Sequence, residues 1–296
     1  EILTRDWSSD VCSSDLDVKY DKSKAFEQFK NRIANQRLND KRERENFCLS
    51  KFWRYAAVIV VLFSVSYFSY WRGGISIKEV FSDIIVEAPL GSRTKLTLPD
   101  GTLVWLNAGS RITYSQGFGV GNRKIELIGE GYFEVKRNEE VPFLVKTNSL
   151  LVKVLGTKFN FRDYPDDAEA IVSLSEGKVA LNNLLKKEKE AFLLPNERVV
   201  LNKKNGRMHV EYSTVSNALQ WTNGYLFFDE ELLPDVVKEL ERSYNVKIQI
   251  ASDTLNTFRF YGNFVHREQN IQEVLEALSA TRKIHYIIEG HNITLY

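Results

Sequence analysis

The chain has few of the residues that crosslink a small domain or bind a metal. Its 296 residues include two cysteines, Cys12 and Cys48, and four scattered histidines. The part after residue 48 therefore has no disulfide and must fold by core packing, for which it is long enough. His285 and His291 flank a predicted hairpin turn, but two histidines without a third ligand do not make a metal site. We expect neither a metal nor another cofactor.

Patterns typical of catalytic sites are also missing. No Gly-x-Ser-x-Gly occurs, and the GFGVG at residues 117–121 precedes a strand pattern, whereas a dinucleotide loop precedes a helix. Glu130 and Glu134 would share a strand face about 13 Å apart. A glycosidase pair needs about 5–10 Å. Asp100, in LPDG, is explained by turn chemistry. We therefore expect no enzymatic activity.

Net charge is almost absent, since 40 Lys and Arg residues balance 39 Asp and Glu residues. Overall electrostatics therefore give no support to a nucleic-acid partner.

One long apolar run is present, at Tyr55–Trp71, and its 17 residues carry no charge. With its flanks, a helix of this length can cross a hydrocarbon core of about 30 Å. Aromatic residues stand at both ends, as at membrane interfaces. The run predicts one transmembrane helix at residues 52–72. A buried core helix would show a polar stripe, and a signal peptide would stand at the N-terminus, so both alternatives are less well supported.

The charges beside this run predict its orientation. Five cations lie between Asp40 and Arg54, whereas only two lie between Arg72 and Glu87. Cations favour the cytoplasmic side, so we expect the N-terminus in the cytoplasm and the larger part of the chain outside.

The segment before the membrane run divides into two parts. Residues 1–16 resemble translated sequencing-adapter sequence and are interpreted as non-native or as a disordered tail. Residues 17–51 contain a helical pattern from Ser23 to Leu38, then a basic linker. Phe26, Phe29 and Ile33 share one face of that helix. They predict a partner surface, the alternative being a helix that lies on the membrane.

After a connector at residues 73–85, the apolar period changes to two. Short strands bounded by turn residues predict an all-β, β-sandwich-like domain over residues 86–213. Residues 214–296 follow the order β-α-β-β-α-β-β, which predicts a small α+β domain with both helices on one sheet face. Its edge strands could accept an extended partner.

Three strings in the β-rich part occur in the order LPDGT-x-VWLNA-x-S, GE-x-YFEV and VLGT-x-FN. Together they resemble the periplasmic domain of FecR-type anti-sigma factors over Val86–Leu181. Gly131 stands where an alanine is more usual. The part from YLFFDEELLPDVV to IQEVLEAL is similar to the C-terminal domain of that family, which itself resembles the STN modules of secretins and TonB-dependent receptors. The string residues are interpreted as structural: Leu98, Pro99, Asp100, Gly101, Trp105, Leu106, Asn107, Gly129, Glu130, Tyr132, Phe133, Leu155, Gly156, Thr157 and Phe159.

The resemblance implies an inner-membrane anti-sigma factor of a Gram-negative bacterium. Its cytoplasmic segment would hold an extracytoplasmic-function sigma factor. Its periplasmic part would sense the signalling domain of a TonB-dependent outer-membrane transporter, so that iron or glycan uptake genes are regulated. Release would involve proteolysis, including by an intramembrane protease.

Particular residues are predicted to contact the sigma factor and the transporter. The sigma-binding residues would be Phe26, Phe29 and Ile33. The receptor-docking residues would lie on two strands of the C-terminal domain: Phe258, Phe260, Phe264, Ile293 and Leu295.

The alternative is a membrane-anchored periplasmic module that binds carbohydrate or protein and has no sigma partner. Trp105, Tyr132 and Tyr261 would then form a saccharide platform, although their alternating strand positions favour core packing.

Overall fold

The computed structural model describes residues 22–79, 82–212 and 219–296, and it describes side chains of the first helix at 23–36 and 55–71. The adapter-like residues 1–16 lie outside this part of the chain. Two compact units are formed, by residues 1–76 and 77–296.

Helix α1, Lys22–Glu79, has 58 residues and lies mainly in the first unit. The helix predicted from Ser23 is confirmed, but its end at Leu38 is wrong, because α1 continues to Glu79 and includes the first residues of the predicted connector. The helix contains no proline that would interrupt it, and its charged linker consists largely of good helix formers. Within the apolar run, the Ser64 hydroxyl hydrogen-bonds the Val60 carbonyl at 2.8 Å.

In the parts of the chain that the structure describes, no helix combines the length and the apolar character needed to cross a membrane. The transmembrane helix at residues 52–72 therefore stays a prediction.

The second unit begins with a β-rich domain of thirteen strands. They are β1 Asp83–Ala88, β2 Thr94–Thr97, β3 Leu103–Leu106, β4 Ser110–Ser115, β5 Arg123–Glu134, β6 Phe143–Lys146, β7 Leu150–Val154, β8 Lys158–Asp163, β9 Glu169–Glu176, β10 Val179–Asn183, β11 Ala191–Leu193, β12 Glu197–Asn202 and β13 Arg207–Tyr212.

The long strand β5 belongs to two half-sheets. The first part of β5 lies in the first half-sheet, whose strand order is β1-β4-β5-β6-β7-β10-β11. The second part of β5 lies in the second half-sheet, whose strand order is β2-β3-β5-β8-β9-β12-β13. The change occurs at Gly129, which has φ 97°. A Cβ there would lie 2.5 Å from the Ser110 hydroxyl oxygen, so both the backbone angle and the space require glycine.

Both half-sheets contribute to one hydrophobic core. The ring of Phe133, from the second half-sheet, lies 6.3 Å from that of Phe143 in the first and stacks on Phe159 at 5.1 Å. Inward-facing positions alternate along the strands, as the period of two predicts. The β-rich character expected of this region is confirmed.

The C-terminal domain has the predicted order of elements. They are β14 Tyr225–Leu232, α2 Leu233–Tyr244, β15 Lys247–Ile250, β16 Arg259–Val265, α3 Ile271–Ser279, β17 Tyr286–Glu289 and β18 Asn292–Leu295. Asp229 lies within β14, and α2 begins at Leu233 with Pro234 in its first turn.

The strands of this domain form two sheets, β14-β16 and β15-β18-β17, rather than one. Strand β18 pairs in parallel with β15 and antiparallel with β17. Both edges of β18 are therefore paired, so a partner could not add to it as a strand. The hairpin pairing with β17 is visible in the sequence, whereas the parallel pairing with β15 is non-local.

Candidate functional site

The residues of the three family strings have mainly structural positions. Leu98, Leu106, Phe133 and Phe159 are in the core of the β-rich domain. The Thr157 hydroxyl donates to the Lys178 carbonyl at 3.1 Å. A Cβ at Gly156 would lie 2.7 Å from the Arg137 backbone, so this chain crossing needs glycine. Leu155, in contrast, is exposed.

The LPDG turn does more than reverse the chain. Asp100 accepts hydrogen bonds from the Thr102 backbone N–H at 2.9 Å and hydroxyl at 2.8 Å, as turn chemistry predicts. Its carboxylate also pairs with buried Arg123 at 3.1 Å. The Arg123 guanidinium further donates to the carbonyls of Lys136 and Val141, each at 2.8 Å. Asp100 therefore fastens the turn to β5.

The three aromatic residues of the predicted saccharide platform differ in their burial and contacts. Trp105 and Tyr132 are cross-strand partners with ring centroids 5.3 Å apart, and Tyr132 is buried. Burial, together with the adjacent Glu134, raises the pKa of the Tyr132 hydroxyl. Tyr261 is 69% exposed, so the expectation that it packs in the core is wrong. It lies on the outer face of β16, against Phe227.

The predicted contact residues fall into two groups. Phe26 and Phe29 are 68% and 62% exposed on α1, and Ile33 is also exposed. Phe260, Phe264, Ile293 and Leu295 are buried in the C-terminal core, and Phe258 packs against it. Docking on β16 would therefore use its backbone edge and its outward side chains. The sigma-binding and receptor-docking roles both stay predictions.

A cluster of hydrogen-bonded polar side chains lies where the β-rich and C-terminal domains meet, within the second unit. We call it the junction and define it by Asn107, Glu130, Asn160, Tyr164 and Asp167 of the β-rich domain and by Trp221, Glu239 and Arg242 from beyond β13.

Arg242 joins the two sides of the junction. Its Nη1 donates to Asp167 Oδ1 at 3.0 Å, and its Nη2 donates to Glu239 Oε2 at 3.2 Å. The guanidinium carbon lies 3.9 Å from the centre of the Tyr164 ring, within the range of a cation–π interaction. The Arg242 carbonyl accepts from the Gly91 N–H at 2.8 Å. One residue of α2 therefore contacts two separate segments of the β-rich domain, the turn at Gly91 and residues 164–167.

Among the residues that the structure describes, the side chains that donate to the Glu130 carboxylate are neutral. Asn107 and Asn160 each donate a side-chain N–H to its carboxylate at 2.8 Å. Trp221 then donates its indole N–H to Asn160 Oδ1 at 3.2 Å. This chain of hydrogen bonds connects the centre of β5 to the residue that leads into the C-terminal domain.

Tyr164 supports the same side of the junction. Its hydroxyl donates to the Ala108 carbonyl at 2.9 Å and lies 3.1 Å from the Ser110 hydroxyl. Ser110 in turn accepts from the Glu130 N–H at 2.8 Å. Burial, reinforced by the charge of Glu130, raises the pKa of Tyr164 well above its usual value, so the hydroxyl stays protonated.

The junction carboxylates differ in their electrostatics. Burial raises the pKa of Glu130, and repulsion by Glu239 adds to the effect. Burial also acts to raise the pKa of Glu239, but Arg242 and Arg162 outweigh it and the pKa is lowered. Asp167 behaves in the same way, because Arg162 and Arg242 offset its burial. Glu130 is thus the carboxylate that binds a proton first.

A cleft of about 810 Å³ opens beside the junction. One wall is the outer face of the second half-sheet, including Ile171, Arg198 and Val200. The other wall is β14 with the start of α2. In the described part of the chain, no three His, Cys, Asp or Glu side chains are grouped to hold a metal ion.

The sequence singled out Asn107, Glu130 and Asn160, but only as parts of the family strings. It missed the other junction residues, which are Tyr164, Asp167, Trp221, Glu239 and Arg242. One available signal was the pair of opposite charges three residues apart beside apolar Leu240. Helix geometry places them next to the buried face of α2, but it does not say what covers them.

Comparisons with known proteins agree with this architecture. The sequence model of the FecR protein family matches residues 85–180, and that of the FecR C-terminal domain matches residues 225–295. No curated protein gives a significant match.

A candidate anti-sigma factor from Parabacteroides distasonis ATCC 8503 is similar over both domains. Its crystal structure at 1.65 Å resolution has 33% sequence identity and a TM-score of 0.67, and the match covers 72% of this chain and 98% of that one. A second crystal structure with the same description, at 2.50 Å, also has 33% identity and a TM-score of 0.67, covering 73% of this chain and 99% of that one. The family is regulatory rather than enzymatic, and a sigma factor is its implied partner. The chain belongs to the family of FecR-type anti-sigma factors.

Proposed function

We propose that this protein sequesters an extracytoplasmic-function sigma factor through α1 and releases it in response to a periplasmic signal. The observation that carries the proposal is the exposure of two phenylalanines, Phe26 and Phe29, on a charged helix of an anti-sigma family member. Uncovered apolar side chains of this size on a soluble segment favour a protein partner. Ile33, one turn further along, completes the surface.

The apolar run supports a single crossing of the inner membrane at residues 52–72. All the large apolar side chains from Tyr55 to Trp71 are exposed within α1, and the cation excess before residue 55 favours a cytoplasmic N-terminus. The β-rich and C-terminal domains would then lie in the periplasm.

The periplasmic partner in this proposal is the signalling domain of a TonB-dependent outer-membrane transporter. The exposed outer face of β16 and its unpaired edge supply a docking surface in the described C-terminal domain. The junction would transmit docking to the β-rich domain, because α2 is fastened there by Arg242. Proteolysis of the chain would then release the sigma factor and switch on nutrient-uptake genes.

Co-purification from cells tests the sigma-binding end. The full chain is co-expressed with an extracytoplasmic-function sigma factor from the same genome, and binding is compared with an F26D/F29D variant. We expect the variant to lose the sigma factor and a sigma-dependent reporter to rise. Gln28→Asp is the matched control, since it adds a charge at an exposed position between the two phenylalanines. Wild-type binding by F26D/F29D would overturn the assignment of this surface.

A further inference from the structure

We propose that the cleft beside the junction binds an extended, basic peptide segment, which adds as a strand to the free edge of β14. The partner is a protein segment with alternating cationic and apolar residues. Three features of the described residues support this occupant: an unpaired strand edge, uncompensated carboxylates and an apolar strip on the opposite wall.

Strand β14 presents its edge to the cleft. Five consecutive residues, 225–229, line it, whereas a strand that offered only one face would contribute alternate residues. The other edge of β14 is occupied by β16, with Tyr225 opposite Val265 and Phe228 opposite Gly262. Within the described chain, the backbone of residues 225–229 makes no hydrogen bond beyond that pairing. Half of its N–H and C=O groups are therefore free to pair with an added strand.

The charge of the cleft favours a cationic segment. Glu169 and Asp229 line it, and in the described part of the chain their carboxylates have no hydrogen bond or ion pair. Glu231 has one distant partner, Arg162 at 3.9 Å. Two further arginines line the cleft: Arg198 pairs with Glu211 at 2.7 Å, and Arg259 directs its guanidinium to the Glu230 carbonyl at 2.7 Å. Lysine or arginine side chains of a bound strand would compensate these carboxylates.

The opposite wall fits the alternate side chains of such a strand. Ile171 and Val200 lie on the outer face of the second half-sheet, and Phe227 faces the cleft from β14. A strand in the cleft would place one set of side chains toward these apolar groups and the other toward the carboxylates.

This inference rests on the fold and on the cleft alone. It deepens the proposed function if the segment comes from the periplasmic partner, but its test does not involve a sigma factor. Failure of peptide binding and failure of sigma binding are therefore distinguishable results.

The test uses the full chain in detergent and three fluorescein-labelled hexapeptides. The first alternates lysine and valine, the second alternates glutamate and valine, and the third is the lysine peptide with N-methyl groups on alternate amides. We expect the lysine peptide to bind and both analogues to bind at least about tenfold more weakly, because one loses charge complementarity and the other loses strand hydrogen bonds. Fluorescence anisotropy measures each dissociation constant.

Two double variants locate the site. D229N/E231Q should weaken binding of the lysine peptide by about three- to tenfold, since it removes two carboxylates of the cleft. The matched control D253N/E268Q removes two exposed carboxylates of the same domain that do not line it. Equal binding of the normal and N-methylated peptides, equal effects of the two double variants, or no binding of the lysine peptide would each overturn the proposal.

Discussion

Arg242 of α2 and Asp167 of the β-rich domain form an ion pair of 3.0 Å in which both side chains are buried, at 8% and 5% exposure. A pair of this kind fixes geometry more than it adds stability, because desolvation offsets much of the Coulomb energy. Removal of one partner is costly, since the other charge is left buried. The pair therefore makes the arrangement of the two domains sensitive to single substitutions.

Replacement of Arg242 by methionine should lower the free energy of unfolding by about 3–5 kcal/mol. The change keeps the apolar stem but leaves Glu239 without its closest cation, while Asp167 keeps Arg162 at 2.9 Å. Urea unfolding of the full chain in detergent, followed by tryptophan fluorescence, measures the loss.

Arg259→Met is the matched control for Arg242→Met. Arg259 is exposed, and its guanidinium bonds a backbone carbonyl rather than a buried carboxylate. Its replacement should cost less than about 1 kcal/mol. Similar losses in the two variants would show that the Arg242 ion pairs do not fasten the domains.

Glu130→Gln should change how stability depends on pH. The folded state raises the pKa of Glu130 above its ordinary value of 4.5. The stabilising contribution of Glu130 to the free energy of unfolding is therefore fully present below pH 4.5, and it is lost as the pH rises through the pKa of the folded state. We expect the wild-type free energy of unfolding to contain a component that falls over this window. In the variant that component should disappear, which unfolding curves at a series of pH values would reveal.

Asp167→Asn is the counterpart, because the pKa of Asp167 is lowered from 3.8. The stabilising contribution of Asp167 to the free energy of unfolding is present above pH 3.8, and it is lost as the pH falls through the pKa of the folded state. The variant should be less stable at neutral pH by about 3–5 kcal/mol, and this difference should shrink in acid. A constant difference across the whole pH range would contradict the assigned protonation.

The sequence predicted local features better than the contacts between them. Alternation, turns and the period of α2 and α3 follow from neighbouring residues, so the β-rich character and the element order could be predicted. The junction could not, because Arg242 and Asp167 are 75 residues apart and nothing local pairs them. The position of β18 was missed for the same reason, since its parallel partner β15 is non-local. Glu130 was recognised as part of a family string, but only the fold shows it surrounded by neutral amides.

Replacement of Arg123 by methionine should destabilise the β-rich domain by about 3–5 kcal/mol. The change leaves Asp100 without its cation and the carbonyls of Lys136 and Val141 without their donor. Arg111→Met is the control, because its ion pair with Glu87 at 3.4 Å is exposed and should contribute less than about 1 kcal/mol. Thermal unfolding by circular dichroism compares them. Equal effects would mean that the LPDG turn is held by its own hydrogen bonds alone.

Trp221→Phe should weaken the junction from its other side. The indole N–H donates to Asn160 Oδ1, which sits beside Glu130, and phenylalanine leaves that buried acceptor without this partner. The expected loss is about 1–3 kcal/mol. Trp105→Phe is the matched control, since within the described residues the Trp105 indole N–H makes no hydrogen bond and its contacts are with Tyr132 and Lys95. If Trp221 positions Asn160, Trp221→Phe should also shift the pH-dependent component assigned to Glu130, whereas Trp105→Phe should leave it unchanged. A loss of stability without that shift would mean that Trp221 only fills space at the junction.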